Sequence, residues 1–376
     1  MAGASTDYLD RYINDLPACF GPEKFNARAW ARLARTAGMR YVVFGAKHHN
    51  GFCMWDTATT DFNVMQTPLG RDVVREVLDA CRAEGLAVGL YFSPDDWWYL
   101  HTHGIAPSRL RPESAPSANP GMMKHNQAQL RELLTNYGAI DCLFYDIKRE
   151  KPTDLNELAW ELQPDVVVTR GAMETPEQHL PDEPLPRPWE ACYTIGQSWQ
   201  YRPTNDIYKT GRQLVEMFVE TRAKGGNLLL NVGPDADGEI PPEQVNPLRE
   251  FALWRFIHAP ALYNVEPWEL TREGDVWFVK EAAGDTVYAF CLDEPWVREE
   301  WRTITLEQVR LPASAEVELL GQSGEMVEYH PEMVPKASWQ QDDGGLHITA
   351  MPAPRLYNRG QWPNPVVLRL PGARVR

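Results

Sequence analysis

The sequence predicts a parallel α/β fold of the (β/α)8-like TIM-barrel kind, followed by a C-terminal β-sandwich. Three observations carry this expectation. Short apolar runs alternate with single helical patterns through the first two thirds of the chain, and polar and aromatic residues gather just after the C-terminal ends of those runs. From about Pro267 the pattern changes to short alternating strands separated by Gly, Asp and Pro. An open doubly wound sheet would share the first feature, but no GxGxxG or GxxxxGK loop follows any strand.

Taken in order, Tyr41–Ala46 reads as a strand from its β-branched and aromatic content, and Arg71–Glu84 as a helix closed by Gly85. Leu86–Phe92, Ile140–Tyr145 and Asp165–Thr169 read as further strands, with helices over Lys124–Tyr137 and Leu155–Leu162 between them. Glu190–Ile195 and Asn227–Val232 complete the strand series, with helices over Tyr208–Lys224 and Pro242–His258, the latter opened by proline. Strands this apolar are buried on both faces, which is the mark of a parallel sheet under helical cover. Beyond residue 267, Val276–Glu281, Thr286–Leu292, Glu316–Leu320, Leu346–Ala350 and Val366–Leu370 read as antiparallel strands. The expected division is a catalytic barrel domain over 1–267 and a β-sandwich domain over 268–376, the second packing against the first.

Composition narrows the partners. The 376 residues carry 52 acidic against 37 basic side chains, a net charge of −15 that repels phosphate backbones and anionic lipid surfaces. No nucleic acid and no membrane are therefore expected as partners, and no run approaches the roughly 20 apolar residues of a membrane span. The six cysteines form no CxxC pair and fit free core thiols better than a disulfide or zinc framework. The N-terminus lacks a basic region followed by an apolar core, so no secretory signal is expected and the chain as given reads as cytoplasmic. The 14 Trp, 14 Tyr and 12 Phe suit a ligand with flat apolar faces and hydroxyls, such as a sugar.

Candidate chemistry lies at the strand ends. Lys47-His48-His49-Asn50-Gly51 follows the first strand, and adjacent histidines there reach one side together only if the backbone turns, which Gly51 permits. Asp146 ends an apolar strand, where a carboxylate can serve as nucleophile or base. Glu190, beside Trp189, fits a general acid whose pKa an indole neighbour raises, with Glu174 and Glu177 as competitors on the preceding loop. Two carboxyls on different strands of one barrel face are the minimum apparatus of a glycosidase. The rival signal is His101-Thr102-His103 with Asp95, a metal-dependent hydrolase reading, although this pair lies out in a loop.

These residues also resemble a known family. Tyr41 to Trp55 (YVVFGAKHHNGFCMW), Asp61-Phe62-Asn63-Val64, Leu90-Tyr91-Phe92-Ser93-Pro94, Glu174-Thr175-Pro176-Glu177, Trp189-Glu190 and Lys224–Gly238 (KGGNLLLNVGPDADG) are similar, in order, to the α-L-fucosidases of glycoside hydrolase family 29. The resemblance implies a retaining exo-glycosidase that acts on fucosylated oligosaccharides or glycoconjugates and uses no metal or organic cofactor. It assigns Asp146 as nucleophile and Glu190 as acid/base, which in a retaining pair should lie about 5–5.5 Å apart. His48 and His49 match the sugar-binding histidine pair, Tyr91 a tyrosine near the nucleophile, and Arg170 an arginine after the next strand. Trp55 and Phe144 are the expected aromatic walls.

Three departures accompany the resemblance. Family members begin with an additional strand ending in Ile-His-Trp-Gly and a Glu-Trp-Tyr segment, so this chain reads as a shortened member whose barrel lacks its first strand. Asn50 stands where an aspartate is usual, and Ile147 where a glycine follows the nucleophile. A missing strand would expose two sheet edges, to be covered by residues Tyr8 to Leu16 or by a second subunit in a homo-oligomer. These departures motivate the alternative function, a catalytically impaired fucose-binding relative of the same fold.

Overall fold

The computed structural model describes residues 6–106, 112–147, 152–322, 332–353 and 361–376, which fall into two compact units. The first comprises residues up to Thr175 with Gln200–Pro203 and Gly233–Pro241; the second holds Pro176–Trp199, Thr204–Val232 and Pro242–Arg376.

In the first unit, helix α1 (Thr6–Ala18) precedes α2 (Ala27–Ala37), β1 (Tyr41–Lys47), α3 (Val73–Ala83) and β2 (Ala87–Phe92). Then come α4 (Trp97–Thr102), α5 (Pro120–Asn136), β3 (Cys142–Tyr145), α6 (Thr153–Leu162) and β4 (Val167–Val168). The four strands pair in parallel in the order β1-β2-β3-β4, with Tyr41 opposite Ala87, Leu90 opposite Leu143 and Leu143 opposite Val168. Side chains fix the helix starts: Asn26, Asp72 and Asn119 each accept from a backbone N–H of the first turn. Gly38 (φ +84°) takes the left-handed conformation that closes α2. The core between sheet and helices is built from Val74, Leu78, Val88, Leu90, Leu130, Leu133, Leu143 and Leu155, all buried.

Helices α1, α2 and α4 have no counterpart among the elements expected from sequence. Residues 8–16, considered above as cover for a sheet edge, lie within α1. Helix α4 rises from the loop that carries His101, because Asp96 caps it by accepting from Tyr99 N–H at 2.8 Å.

The second unit opens with β5 (Glu190–Thr194), α7 (Gly211–Ala223), β6 (Asn227–Asn231) and α8 (Pro242–Ile257). Strands β5 and β6 pair in parallel. A capping box between Thr210 and Gln213 starts α7. Beyond these, β7 (Val265–Glu273), β8 (Val276–Glu281) and β9 (Thr286–Cys291) join Val366–Pro371 and Glu318–Leu319 in a five-stranded antiparallel sheet. Arg302–Leu306, Gly345–Ala350 and Ser338–Asp342 form a three-stranded antiparallel sheet. The apolar alternation read from the sequence therefore becomes antiparallel ladders, as expected. Arg212 of α7 donates to the carbonyls of Leu292, Asp293 and Pro363, and Trp254 of α8 to that of Pro365, which fastens both helices to the C-terminal strands. Among the described residues no helix is long and apolar enough to cross a membrane. Five cysteines are buried and Cys19, just after α1, is exposed; burial pushes the Cys81 thiol up to about 11 and those of Cys53 and Cys291 higher still.

The end of β1 is anchored by a buried charge. Lys47 is fully enclosed, and its Nζ lies 2.9 Å from Asp96 Oδ2 and donates to Asn126 Oδ1 at 2.9 Å and Gln129 Oε1 at 2.8 Å. Burial alone would raise the Asp96 carboxyl, but the Lys47 charge, His125 and the Tyr99 amide hold it below the usual carboxylate range. Removing one member of such a pair strands the other charge. Lys47→Met should accordingly cost about 3–5 kcal/mol, read as a lowered urea midpoint, and Lys47→Met combined with Asp96→Asn should recover part of the loss.

Candidate active site

Four consecutive parallel strands deliver their exit residues to one edge of the first unit's sheet. His48 and His49 follow β1, Ser93 follows β2, Asp146 follows β3 and Arg170 lies two residues beyond β4. The backbone does turn after β1: the pairing is irregular between Gly45 and Lys47, Gly51 N–H donates to His48 O at 3.0 Å, and Gly51 sits at φ +85°. A Cβ there would collide with the Asp96 carboxylate and lie 2.7 Å from Trp98 Cβ, so this position needs glycine. The turn brings both imidazoles together, edge to face at 4.4 Å between centroids.

Asp146 is the centre of the cluster. Its Oδ2 accepts from Tyr91 OH at 2.6 Å and lies 3.1 Å from His49 Nε2, while Oδ1 faces Arg170 Nη1 at 3.5 Å. Its backbone N–H donates to Phe92 O, which ties the residue to the end of β2. Burial pulls its pKa upward, but the hydrogen bonds from His49 and Tyr91 and the charges of His49 and Arg170 outweigh it and hold the carboxyl well below the usual range. An aromatic stack supports these groups: His48 lies flat on Tyr91 (5.5 Å, 10°), Tyr91 on Phe144 (5.6 Å, 19°), and the Arg170 guanidinium over Phe144 at 4.9 Å.

The expected site residues thus divide. The structure brings His48, His49, Tyr91, Phe144, Asp146 and Arg170 together. Trp55 is fully buried, its indole N–H donating to Glu132 Oε2 at 3.0 Å, so it offers no open face for a ring. Glu190, 2% exposed, is the first residue of β5 and pairs with Asn227, the first of β6. It therefore stands at the N-terminal edge of that strand pair, whereas barrel sites are built at C-terminal ends. Residues 176–178 run beside β5 toward its C-terminal end: Glu177 bridges Cys192, and Gln178 Nε2 donates to Thr194 Oγ1 at 3.2 Å. His101 lies in the last turn of α4, and His103 stacks on Tyr99 at 3.9 Å and pairs its Nδ1 with the Tyr99 carbonyl. Neither belongs to the His/Asp group found among the described residues, which is His48, His49 and Asp146.

Sequence reasoning missed Ser93 and Asn50's partner. Ser93 Oγ pairs with His49 Nδ1 at 2.5 Å and donates its proton to Asp95 O at 3.0 Å. Its position directly after β2 was the available signal. Asn50 donates to Tyr12 OH at 2.8 Å and accepts from Phe52 N–H at 3.1 Å, giving the loop a link to α1. Residues 148–151, which follow Ile147, lie outside the described residues.

Comparison with known proteins defines first the class. The solved alpha-L-fucosidase isoenzyme 1 of Paenibacillus thiaminolyticus matches at TM-score 0.78 and 30% identity, over 99% of this chain and 90% of its own. The Thermotoga maritima alpha-fucosidase, solved in complex with fucose, matches at TM-score 0.72 and 25% identity over 95% and 81%. The fold class is thus the TIM barrel with a C-terminal β domain. The family profile for alpha-L-fucosidases matches residues 4–259, and the chain belongs to that family. Plasma alpha-L-fucosidase of Rattus norvegicus is 31% identical over 75% of this chain. The chain spans 66% of the length of that relative and 65% of the Dictyostelium discoideum one, just under two thirds in each case.

The low Asp146 pKa has a consequence for acid stability. Because the folded carboxyl titrates below its ordinary value of 3.8, its contribution is complete above that value and is lost as pH falls through the lower folded one. The stability difference between parent and Asp146→Asn, taken from urea midpoints, should be full above about pH 5 and diminish progressively as pH falls through 3.8 and below.

Proposed function

We propose that this protein is a retaining, exo-acting α-L-fucosidase that hydrolyses terminal α-L-fucosyl linkages through a covalent fucosyl-enzyme on Asp146. The observation that carries the reading is the Asp146 carboxylate, held ionised at the end of β3 by His49, Tyr91 and Arg170. Family membership and the fucose bound to the Thermotoga protein support the sugar. The functional division kept here is a catalytic domain over 1–267 and a β-sandwich over 268–376.

The chemistry follows from where the lone pairs point. Oδ2 is engaged by Tyr91 and His49, whereas among the described residues Oδ1 has only the longer contact with Arg170. Oδ1 forms the bond to the anomeric carbon as the glycosidic C–O bond breaks, and the leaving oxygen takes a proton from a carboxylic acid. In the second step water attacks the anomeric carbon, gives its proton to that same group, and releases Asp146. His48 lies exposed on the flat face of Tyr91, which suits it to bind a sugar hydroxyl.

Two glutamates compete for the acid. Trp189-Glu190 carries the family resemblance, but the place of Glu190 at the start of β5 favours Glu177, on the segment that runs toward the other end of that strand. Thr175, two residues earlier, accepts from Arg170 Nη2 at 3.5 Å.

Release of chromophore from an aryl α-L-fucoside by the parent and by Asp146→Asn, Glu177→Gln and Glu190→Gln tests the assignment. Asp146→Asn should lose three or more orders of magnitude in kcat. The acid variant should lose most with a poor leaving group and be rescued with a good one or with azide; that pattern in Glu190→Gln and not in Glu177→Gln would return the role to Glu190. Tyr91→Phe, which removes one charge-assisted hydrogen bond, should lower kcat/KM by roughly 10- to 100-fold. A folded parent that binds fucose without turnover, unchanged by Asp146→Asn, would mean an impaired fucose-binding relative.

A further inference from the structure

The nucleophile's surroundings also have the composition of a transition-metal site. His48, His49 and Asp146 each offer one ligand atom, and these atoms all lie within 4.8 Å of one another. The His49 Nε2 to Asp146 Oδ2 separation is 3.1 Å, close to the roughly 3.3 Å between neighbouring ligands of a tetrahedral ion with bonds of about 2.0–2.1 Å.

The support around these atoms is the decisive observation. Ser93 Oγ lies 2.5 Å from His49 Nδ1 and 3.0 Å from the Asp95 carbonyl, so the far ring nitrogen of His49 is already engaged. The ring is thereby oriented with Nε2 directed at Asp146, and the proton that Nε2 gives to that carboxylate is the one a bound metal ion displaces. Metal-binding histidines are held in this way, by a hydrogen bond on the other ring nitrogen. Tyr91 OH orients the carboxylate in the same sense, and the stack on Tyr91 places the His48 ring beside both. Arg170 reduces the negative charge on the far oxygen, which disfavours hard ions that depend on carboxylates alone. Two imidazoles and one carboxylate suit Zn2+ or Cu2+.

We infer that His48, His49 and Asp146 bind one borderline-soft divalent ion of the Zn2+ or Cu2+ class, with Ser93 as the positioning residue. The ion occupies the nucleophile and the histidine pair, so it excludes sugar from the same atoms and acts as an inhibitor competitive with substrate. It is no cofactor of hydrolysis.

Isothermal titration with Zn2+ and electron paramagnetic resonance with Cu2+ test this on the full chain without reference to activity. One ion per chain is expected, with superhyperfine coupling to two nitrogens. His48→Ala, an exposed position, should remove one nitrogen and weaken binding at least about tenfold, and Ser93→Ala should weaken it by about tenfold or more. His101→Ala with His103→Ala should leave stoichiometry and affinity unchanged. Unaltered binding in His48→Ala, or loss confined to the His101/His103 variant, would overturn the inference. L-Fucose should displace the ion; this arm alone rests on the proposed sugar site. Its failure with the two-nitrogen signal intact would support the metal site while counting against the fucoside reading.

Discussion

The pairing of Lys47 with Asp96 underlies the geometry of the first unit. Lys47 is the last residue of β1, and Asp96 begins α4 by capping its first turn, so one enclosed ion pair sets where a strand ends and where a helix starts. Everything that reaches Asp146 from this side is measured from those two points. The histidine pair occupies the two residues after Lys47, and Trp97, just after Asp96, donates its N–H to the His49 carbonyl at 2.8 Å. An ion pair is an expensive anchor because both charges must leave water, and Asn126 and Gln129 are present to complete the lysine's hydrogen bonds.

Much of the fold was legible because its signals are local. Leu86–Phe92 and Asn227–Val232 read as apolar strands and became β2 and β6 with bounds shifted by a single residue at one end; β2 is largely buried as expected, whereas the residues of β6 stay partly exposed. Ile140–Tyr145 and Asp165–Thr169 shortened to Cys142–Tyr145 and Val167–Val168, since ladder pairing, not hydrophobicity, decides where a strand stops. Helix α2 escaped notice although it has Asn26 and Gly38 at its ends, because alanine fills its buried positions, Ala27, Ala31 and Ala37, and Trp30 and Leu33 are its only large apolar residues. Helix α4, six residues long, owes its existence to the Asp96 cap.

The site was legible in its chemistry and less so in its placement. Asp146, Tyr91 and the histidine pair could be picked out because strand ends on one edge of a parallel sheet must converge. Trp55 looked equally eligible two residues past Cys53, yet its indole turns inward to Glu132, and nothing in the sequence separates an inward from an outward tryptophan in a loop. Glu190 was read from its neighbour Trp189, whereas the position of a side chain along its strand depends on register, which only the pairing with Asn227 reveals. Ser93 acts through a ring nitrogen and has no signature of its own.

The distribution of thiols offers practical access to this molecule. Five sulfur atoms are enclosed, and burial keeps those of Cys53, Cys81 and Cys291 in the unreactive neutral form across the physiological range. Cys19 stands in solvent just after α1, the helix whose Tyr12 accepts from Asn50 next to the histidine pair. A maleimide dye would attach there and nowhere else on the native protein, giving a fluorescent reporter at the helix that adjoins the loop of the histidine pair without any engineered cysteine.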